Sequence, residues 1–176
     1  MSILGAFNEA WEQDTEVGGG LGKPLPARRW YTGDIEVAEP QPHDSATEGR
    51  VFIQVGSILD ADSGQGEFVD GGGASYRIGN RKIFERIWLG FTGNNADKVN
   101  QIAVQQLKEL GWAGGVAGLE RVKGEDGKEH IRFLNGPVTP LDVVAALPGK
   151  RVKFFVSKHE TYNGKTNAKV GAWGRI

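Results

Sequence analysis

Residues 81–90, with the sequence RKIFERIWLG, alternate aromatic rings with cations. In an extended strand, successive side chains point to opposite faces. One face would carry Ile83, Glu85, Ile87 and Leu89, and the other would carry Lys82, Phe84, Arg86 and Trp88. Aromatic rings stack on unpaired bases and cations attract phosphates, so the second face suits a single-stranded nucleic acid.

A second stretch, residues 151–158, repeats this combination. Its sequence RVKFFVSK predicts a strand that turns Val152, Phe154 and Val156 inward. The outward side chains of this strand, of the turn after it and of the next strand complete the predicted binding surface: Arg151, Lys153, Phe155, Lys158, Tyr162, Lys165, Lys169 and Trp173. Stacking contributes about 1–3 kcal/mol per base, and cationic neighbours follow the phosphates. Recurrence on two strands favours nucleic-acid binding.

Three other interpretations of these residues stay open. Large aromatic residues are often buried, so loops of the protein itself could cover Phe84, Trp88 or Phe155. A dimer or partner interface would also use such rings, which makes a protein-interaction or assembly module the alternative function. Oligosaccharides stack on aromatic rings as well, but the many cations disfavour a neutral sugar.

Motifs for catalysis, metal binding and cofactor binding are missing from the sequence. The histidines His43, His130 and His159 fall on different elements without ligand spacing. Residues 17–24, VGGGLGKP, lack the first glycine and the Ser or Thr of a phosphate-binding loop. No serine elbow, HExxH or EF-hand pattern occurs. We therefore expect a protein that is not an enzyme and uses no metal or cofactor.

The composition indicates an intracellular protein with long loops. It includes 27 glycines, about twice the usual share, and no cysteine. There is neither an apolar run of about 18 residues nor a secretory signal, so we expect no membrane association. Charge is uneven, since residues 1–70 hold 4 Lys/Arg and 13 Asp/Glu, whereas residues 140–176 hold 7 and 2. Local basic patches decide whether a polyanion binds, and the last segment is basic.

Hydrophobic periodicity predicts the elements that would position these side chains. A lead-in over residues 1–28, with an amphipathic helix over residues 4–13, precedes one domain over residues 29–176. The predicted strands cover residues 30–38, 50–59, 81–90, 151–158 and 166–173. A helix over residues 95–110 follows the third strand, and Gly111 is expected to end it. The other predicted elements are a glycine-rich loop (60–80), a hairpin (119–134) and a short helix (140–147).

This order of elements predicts an OB-fold, an all-β-dominated fold in which five strands close into a barrel around a core. The helix between the third and fourth strands would plug one end of the barrel. In OB-folds the second and third strands, with the first–second and fourth–fifth loops, form the binding surface. An α+β sandwich with the same order of elements is the competing prediction.

Several segments resemble the phage-encoded single-stranded-DNA-binding proteins of OB fold. The similar stretches are LPARRWYTGDIEVAEP, RVFIQVGSILD, GNRKIFERIWLG, QLKELGW and LPGKRVKFFVSKHETYNGKTNAKV. By matching position, the resemblance implies DNA-binding roles for Phe84, Arg86, Trp88, Lys150, Arg151, Lys153 and Tyr162. It implies binding of exposed single strands, largely without sequence preference, during phage DNA replication, recombination or repair in the cytoplasm of the bacterial host.

The resemblance leaves the ligand and the oligomeric state open, and the chain differs from the family in two respects. RNA stays an alternative ligand, because stacking tolerates both polymers, and a homo-oligomer stays an alternative assembly. Many members of the family end in an acidic tail that recruits partners, whereas this chain ends AWGRI. The predicted hairpin over residues 119–134 is not part of a core OB-fold, and oligomer contacts are one role for it.

Overall fold

The computed structural model describes residues 24–42, 47–69, 72–73, 75–79 and 81–176. The described part is mostly β, as predicted. Its elements are β1 (Arg29–Gln41), β2 (Thr47–Asp60), β3 (Glu67–Val69), β4 (Ser75–Arg77), β5 (Ile83–Phe91), α1 (Ala96–Ala113), β6 (Leu119–Lys123), β7 (Glu129–Phe133), α2 (Pro140–Ala146), β8 (Arg151–Tyr162) and β9 (Lys165–Gly174). The helix predicted over residues 4–13 lies outside the described residues.

The five long strands form one antiparallel sheet in the order β5-β2-β1-β8-β9. The edge strands β5 and β9 approach each other, with Cα atoms within 8 Å, but they are not paired as a ladder. The predicted five-stranded sheet is therefore present, whereas no strand pairing among the described residues closes it into the predicted barrel.

The side chain of Glu85 bridges the opening between β5 and β9. Its Oε1 accepts a hydrogen bond from the Val170 backbone N–H at 2.9 Å, and its Oε2 lies 3.0 Å from Lys169 Nζ. Burial raises the pKa of Glu85 above its usual range, although Lys169 and the Val170 N–H oppose this effect. A single buried carboxyl thus joins the edges where backbone pairs are missing.

The inward faces predicted for β2 and β8 are confirmed. Val51, Ile53 and Val55 of β2 are buried, as are Val152, Phe154 and Val156 of β8. Because successive side chains in a strand alternate between faces, the burial of these residues turns their neighbours outward.

A register shift near the end of β9 overturns one predicted face. Phe155 pairs with Ala172 and Val156 pairs with Val170, so Gly171 is an extra residue in β9. Such a bulge reverses the alternation beyond it. Trp173, predicted to point outward, is therefore on the core side with Val170, is 8% exposed and contacts the ring of Phe154.

Helix α1 is longer than its predicted range. Gly111, expected to end it, is instead a buried helical residue, and the helix continues to Ala113. A Cβ at position 111 would lie 2.8 Å from side-chain carbons of both Leu119 and Val143, so glycine allows β6 and α2 to pack closely there. Ile102 of α1 is 47% exposed, although Ala103 beside it is buried.

The connections also differ in part from the predictions. The hairpin over residues 119–134 is confirmed as β6 and β7. The turn after β8 is tighter than predicted, because only Asn163 and Gly164, both with positive φ, separate β8 from β9. The predicted loop over residues 60–80 contains the short hairpin β3–β4, in which Phe68 and Tyr76 stack at 5.1 Å. No described helix is long and apolar enough to cross a bilayer.

Candidate nucleic-acid interface

The first aromatic and cationic cluster on the outward face is the β2–β5 patch, formed by Phe52, Phe84 and Arg86. Register places Phe52 opposite Arg86 and next to Phe84. The two phenyl rings stack at 5.7 Å with an angle of 21° between their planes, and the Arg86 guanidinium lies 5.7 Å from the Phe52 ring centroid. Phe84 is 49% exposed, so the predicted outward orientation is confirmed and much of its surface is accessible.

The second cluster is the β1–β8 patch, formed by Trp30, Lys153 and Phe155. Trp30 pairs with Phe155 across the two strands, and their rings lie 5.4 Å apart at an angle of 50°. Lys153 Nζ lies 5.9 Å from the Trp30 ring centroid. Trp30 is 38% exposed, whereas Phe155 is half-buried. The rings are therefore tilted, with Trp30 partly covering Phe155.

A row of ion pairs separates the two patches along β1. Asp34 accepts two hydrogen bonds from the Arg151 guanidinium, at 2.6 and 3.0 Å, and Glu36 lies 2.9 Å from Lys82 Nζ. The Arg151 hydrogen bond lowers the pKa of Asp34, and the Lys82 hydrogen bond lowers the pKa of Glu36. Both cations were predicted to meet phosphates, but acidic side chains of the protein itself already compensate them.

The other predicted cations fall into two groups. Lys158 pairs with Glu160 at 3.2 Å, and Lys169 pairs with Glu85. Four predicted cations have no acidic partner within 4 Å among the described residues: Arg86, Lys150, Lys153 and Lys165. An unpaired surface cation attracts a phosphate with little desolvation cost, so these four are the strongest backbone-contact candidates.

The remaining predicted aromatic residues do not join the two patches. Trp173 belongs to the core, and the side chain of Tyr162 lies outside the described part of the chain. Trp88 is half-buried and lines a cavity of about 960 Å³, here called the apolar groove. Helices α1 and α2 and the β6–β7 hairpin supply most of its apolar wall, including Leu107, Phe133 and Leu141.

Sequence reasoning missed two residues of the patches, Trp30 and Phe52. Each occupies a position of its strand that alternation turns away from the buried set, so a signal was present. Their partners were not readable, because the pairing of Trp30 with Phe155 and of Phe52 with Arg86 depends on strand register.

Neither a metal site nor a comparison with known proteins points to another function for these residues. Within the described ranges, no group of three His, Asp or Glu residues is arranged to hold a metal ion. His130 pairs with Asp126 at 3.0 Å, and His159 Nε2 lies 2.8 Å from the Leu25 carbonyl oxygen, while His43 lies outside the described residues. Neither the protein-family models nor the curated proteins match this chain.

Proposed function

We propose that this protein binds single-stranded DNA, largely without sequence preference, on the outward face of its five-stranded sheet. One observation carries the proposal. Each patch combines an accessible aromatic ring with a cation that has no acidic partner among the described residues: Phe84 with Arg86, and Trp30 with Lys153. A ring that stacks on a base and a cation beside it that meets the phosphate are the two parts of sequence-tolerant single-strand binding.

The order of the long strands supports this function if the sheet is interpreted as an OB-fold. OB-folds are five-stranded, partly open Greek-key barrels that bind ligands on their second and third strands. The second and third long strands here are β2 and β5, which carry Phe52, Phe84 and Arg86. The opening between β5 and β9, bridged by Glu85, is compatible with a partly open barrel.

The biological role follows from the sequence resemblance to phage single-stranded-DNA-binding proteins. In this role the protein coats strands exposed during phage DNA replication, recombination or repair in the host cytoplasm. Binding of this kind needs only stacking rings and unpaired cations, so the role that we propose is not that of an enzyme. RNA offers the same stacking faces and phosphates, so its binding must be measured beside that of DNA.

A titration of the purified protein with oligo(dT), duplex DNA and RNA tests the proposal. We expect a mobility shift with oligo(dT), quenching of tryptophan fluorescence, weaker binding to duplex, and a steep loss of affinity as salt increases. Absence of both the shift and the quenching at low salt would overturn the proposal.

The apolar groove favours a second function, that of an assembly module. The charged residues lining it in the described part of the chain, Arg50 and Lys108, are both cations. Residues 4–13 carry Leu4, Phe7 and Trp11 at helical spacing, together with Glu9 and Glu12. An amphipathic helix with acidic residues suits an apolar groove with a basic rim. The occupant under this alternative is residues 4–13 of a second copy of the chain.

A matched pair of substitutions tests the assembly function. Leu141 and Leu134 are both exposed leucines. Leu141 is one of the described residues that line the groove, and Leu134 is not. If the groove holds a second copy, Leu141→Asp will reduce the mass measured by light scattering, as will deletion of residues 1–23, whereas Leu134→Asp will not. A full-length protein that is monomeric at all concentrations excludes this alternative.

A further inference from the structure

Three of the five tryptophans in the chain line one cleft. The cleft, here called the tryptophan cleft, has a volume of about 290 Å³ and lies between β1, β9, the C-terminal part of α1 and the β6–β7 hairpin. Trp30 and Trp112 are half-exposed in its wall, and Trp173 forms part of its floor. Of the three, only Trp112 belongs neither to the predicted site residues nor to the two patches, so the cleft adds an indole to Trp30 and Trp173.

Arginines fix the orientation of Trp112. The Arg121 guanidinium lies 5.0 Å from its ring centroid, and the Arg175 guanidinium lies 4.7 Å from it. Arg175 Nε also donates a hydrogen bond to the Trp112 carbonyl oxygen at 2.8 Å. Cation–π contacts of this kind restrain a ring before any ligand arrives, which lowers the entropy cost of binding.

Trp30 makes the cleft continuous with the β1–β8 patch. The ring of Trp30 contacts Phe155 within the patch and also lines the cleft. The backbone at Gly174 approaches the same indole, since a Cβ at this position would lie 3.4 Å from it. A strand that stacks on Trp30 therefore has a concave site next to it, and Lys153 lies beside the ring to meet the phosphate.

The polar groups in the cleft suit the edge of a base. Its lining includes the carboxylates of Glu109 and Glu129, the latter paired with Arg121. Carboxylates repel a phosphate but accept hydrogen bonds from exocyclic amino groups such as cytosine N4. The volume lies just below the usual range of about 300–1,000 Å³ for small-molecule pockets, so the cleft suits a single planar heterocycle.

We propose that the tryptophan cleft takes one unstacked base of the strand bound on the β1–β8 patch and prefers a base with an exocyclic amino group over thymine. This inference rests on the proposed single-strand binding. It adds a limited base preference to a surface that otherwise binds without regard to sequence, and it gives the β6–β7 hairpin a role, since that hairpin forms one wall of the cleft.

The test compares two labelled strands of about 12 nucleotides, within the usual site sizes of OB-folds. One strand is all dT and the other has central dC residues. The wild-type protein is expected to bind the dC-containing strand about fivefold more tightly, because one additional net hydrogen bond contributes about 1 kcal/mol. Free dCMP in excess serves as a second arm, because competition by it separates base recognition from polymer binding.

Substitutions at the cleft identify the site. Ala172 is half-buried and lines the cleft, so Ala172→Leu narrows it without removing an aromatic ring. This variant is expected to lose the dC preference and part of the tryptophan quenching. Trp30→Leu is expected to have the same effect. Because Trp30 is exposed, this second variant tests the cleft if Ala172→Leu fails to fold. The matched control Phe84→Leu, in the other patch, is expected to weaken binding to both strands while keeping the preference.

The outcomes separate the two proposals. If the wild-type protein binds neither strand, both the proposed function and the cleft are overturned. If it binds both strands equally, or if folded Ala172→Leu and Trp30→Leu keep the preference, the base site is overturned and the proposed function stands.

Discussion

The β2–β5 patch and the β1–β8 patch use the same residue types but present them differently. In the first, Phe52 and Phe84 are nearly parallel, and the outer ring is 49% exposed. In the second, Trp30 is tilted by 50° over Phe155 and borders a cleft. A parallel stack can be extended by another flat ring, whereas a tilted pair offers an edge and a pocket. Similar residue composition thus gives one open stacking surface and one concave site.

The two patches also differ from the row of ion pairs between them. Arg86 and Lys153 have no acidic partner among the described residues, whereas Lys82 and Arg151 are paired with Glu36 and Asp34. The lesson is that counting cations on a strand face overstates the charge available to a polyanion. Neighbouring strands decide which cations remain available, since each partner comes from β1.

The largest expected effect compares one ring from each patch. Phe84→Leu should lower the affinity for oligo(dT) by about ten- to hundredfold, because its exposed face supplies a stacking contact of about 1–3 kcal/mol. Phe155→Leu should lower it only a few-fold, because Trp30 partly covers that ring. Fluorescence polarisation with a labelled strand measures both variants, with Leu134→Ala as the control. A greater loss for Phe155→Leu would reverse the proposed ranking of the patches.

The next effect concerns the carboxyl that joins the edges of the sheet carrying the two patches. Glu85→Ala should lower the free energy of unfolding by about 2 kcal/mol, because it leaves the Val170 N–H without its acceptor. Glu85→Gln should cost less, since an amide oxygen can still accept that hydrogen bond. Urea denaturation measures the difference, and equal stability of the Ala variant and the wild type would remove the proposed bridging role.

The same carboxyl should give the wild type a defined pH dependence. Burial raises the pKa of Glu85 above its ordinary value of 4.5, so the folded state holds this proton more tightly than the unfolded state. The Glu85 contribution to the free energy of unfolding should therefore fall as pH rises above about 4.5. The Asp34 contribution has the opposite sign, because its pKa is lowered, and is lost as pH falls. Urea denaturation at several pH values should show that the decrease of the free energy of unfolding with rising pH disappears in Glu85→Gln. If the decrease persists in this variant, a group other than Glu85 causes it.

A smaller effect separates free from paired cations. Lys153→Gln should reduce the steepness of the plot of log affinity against log salt by about 0.7, the value for one phosphate contact on a single strand. Lys82→Gln should leave the slope almost unchanged, because Glu36 already compensates its charge. Titrations at several salt concentrations provide the slopes, and equal slopes in the two variants would contradict the distinction.

The smallest expected effect comes from releasing a paired cation. Asp34→Asn removes the partner of Arg151, so that the guanidinium can meet a phosphate. The affinity for oligo(dT) should rise about two- to threefold, in keeping with the modest strength of exposed ion pairs. Polarisation titration at low salt measures this gain. A decrease in affinity would mean that Asp34 orients Arg151 for binding instead of occupying it.

Much of the local structure followed from patterns that depend on neighbours in the chain. Alternation identified the five long strands and the inward sets of β2 and β8, and helical spacing identified α1. The same alternation turned Phe84 outward, and the structure confirms this. Prediction failed at Gly111, where a helical glycine allows close packing against Leu119 and Val143 instead of ending the helix. It also failed at Trp173, where a bulge at Gly171 reverses the alternation of faces.

For β2, β5 and β8, the sequence by itself determined which aromatic and cationic residues share a strand face, because the strand repeat is a property of the backbone. Only the tertiary structure decided which of them meet. It paired Trp30 with Phe155, tied Lys82 and Arg151 to acids of β1, and gathered three tryptophans from distant segments around one cleft. Register and bulges set these contacts, and a shift of one residue in either reverses the face on which a side chain lies.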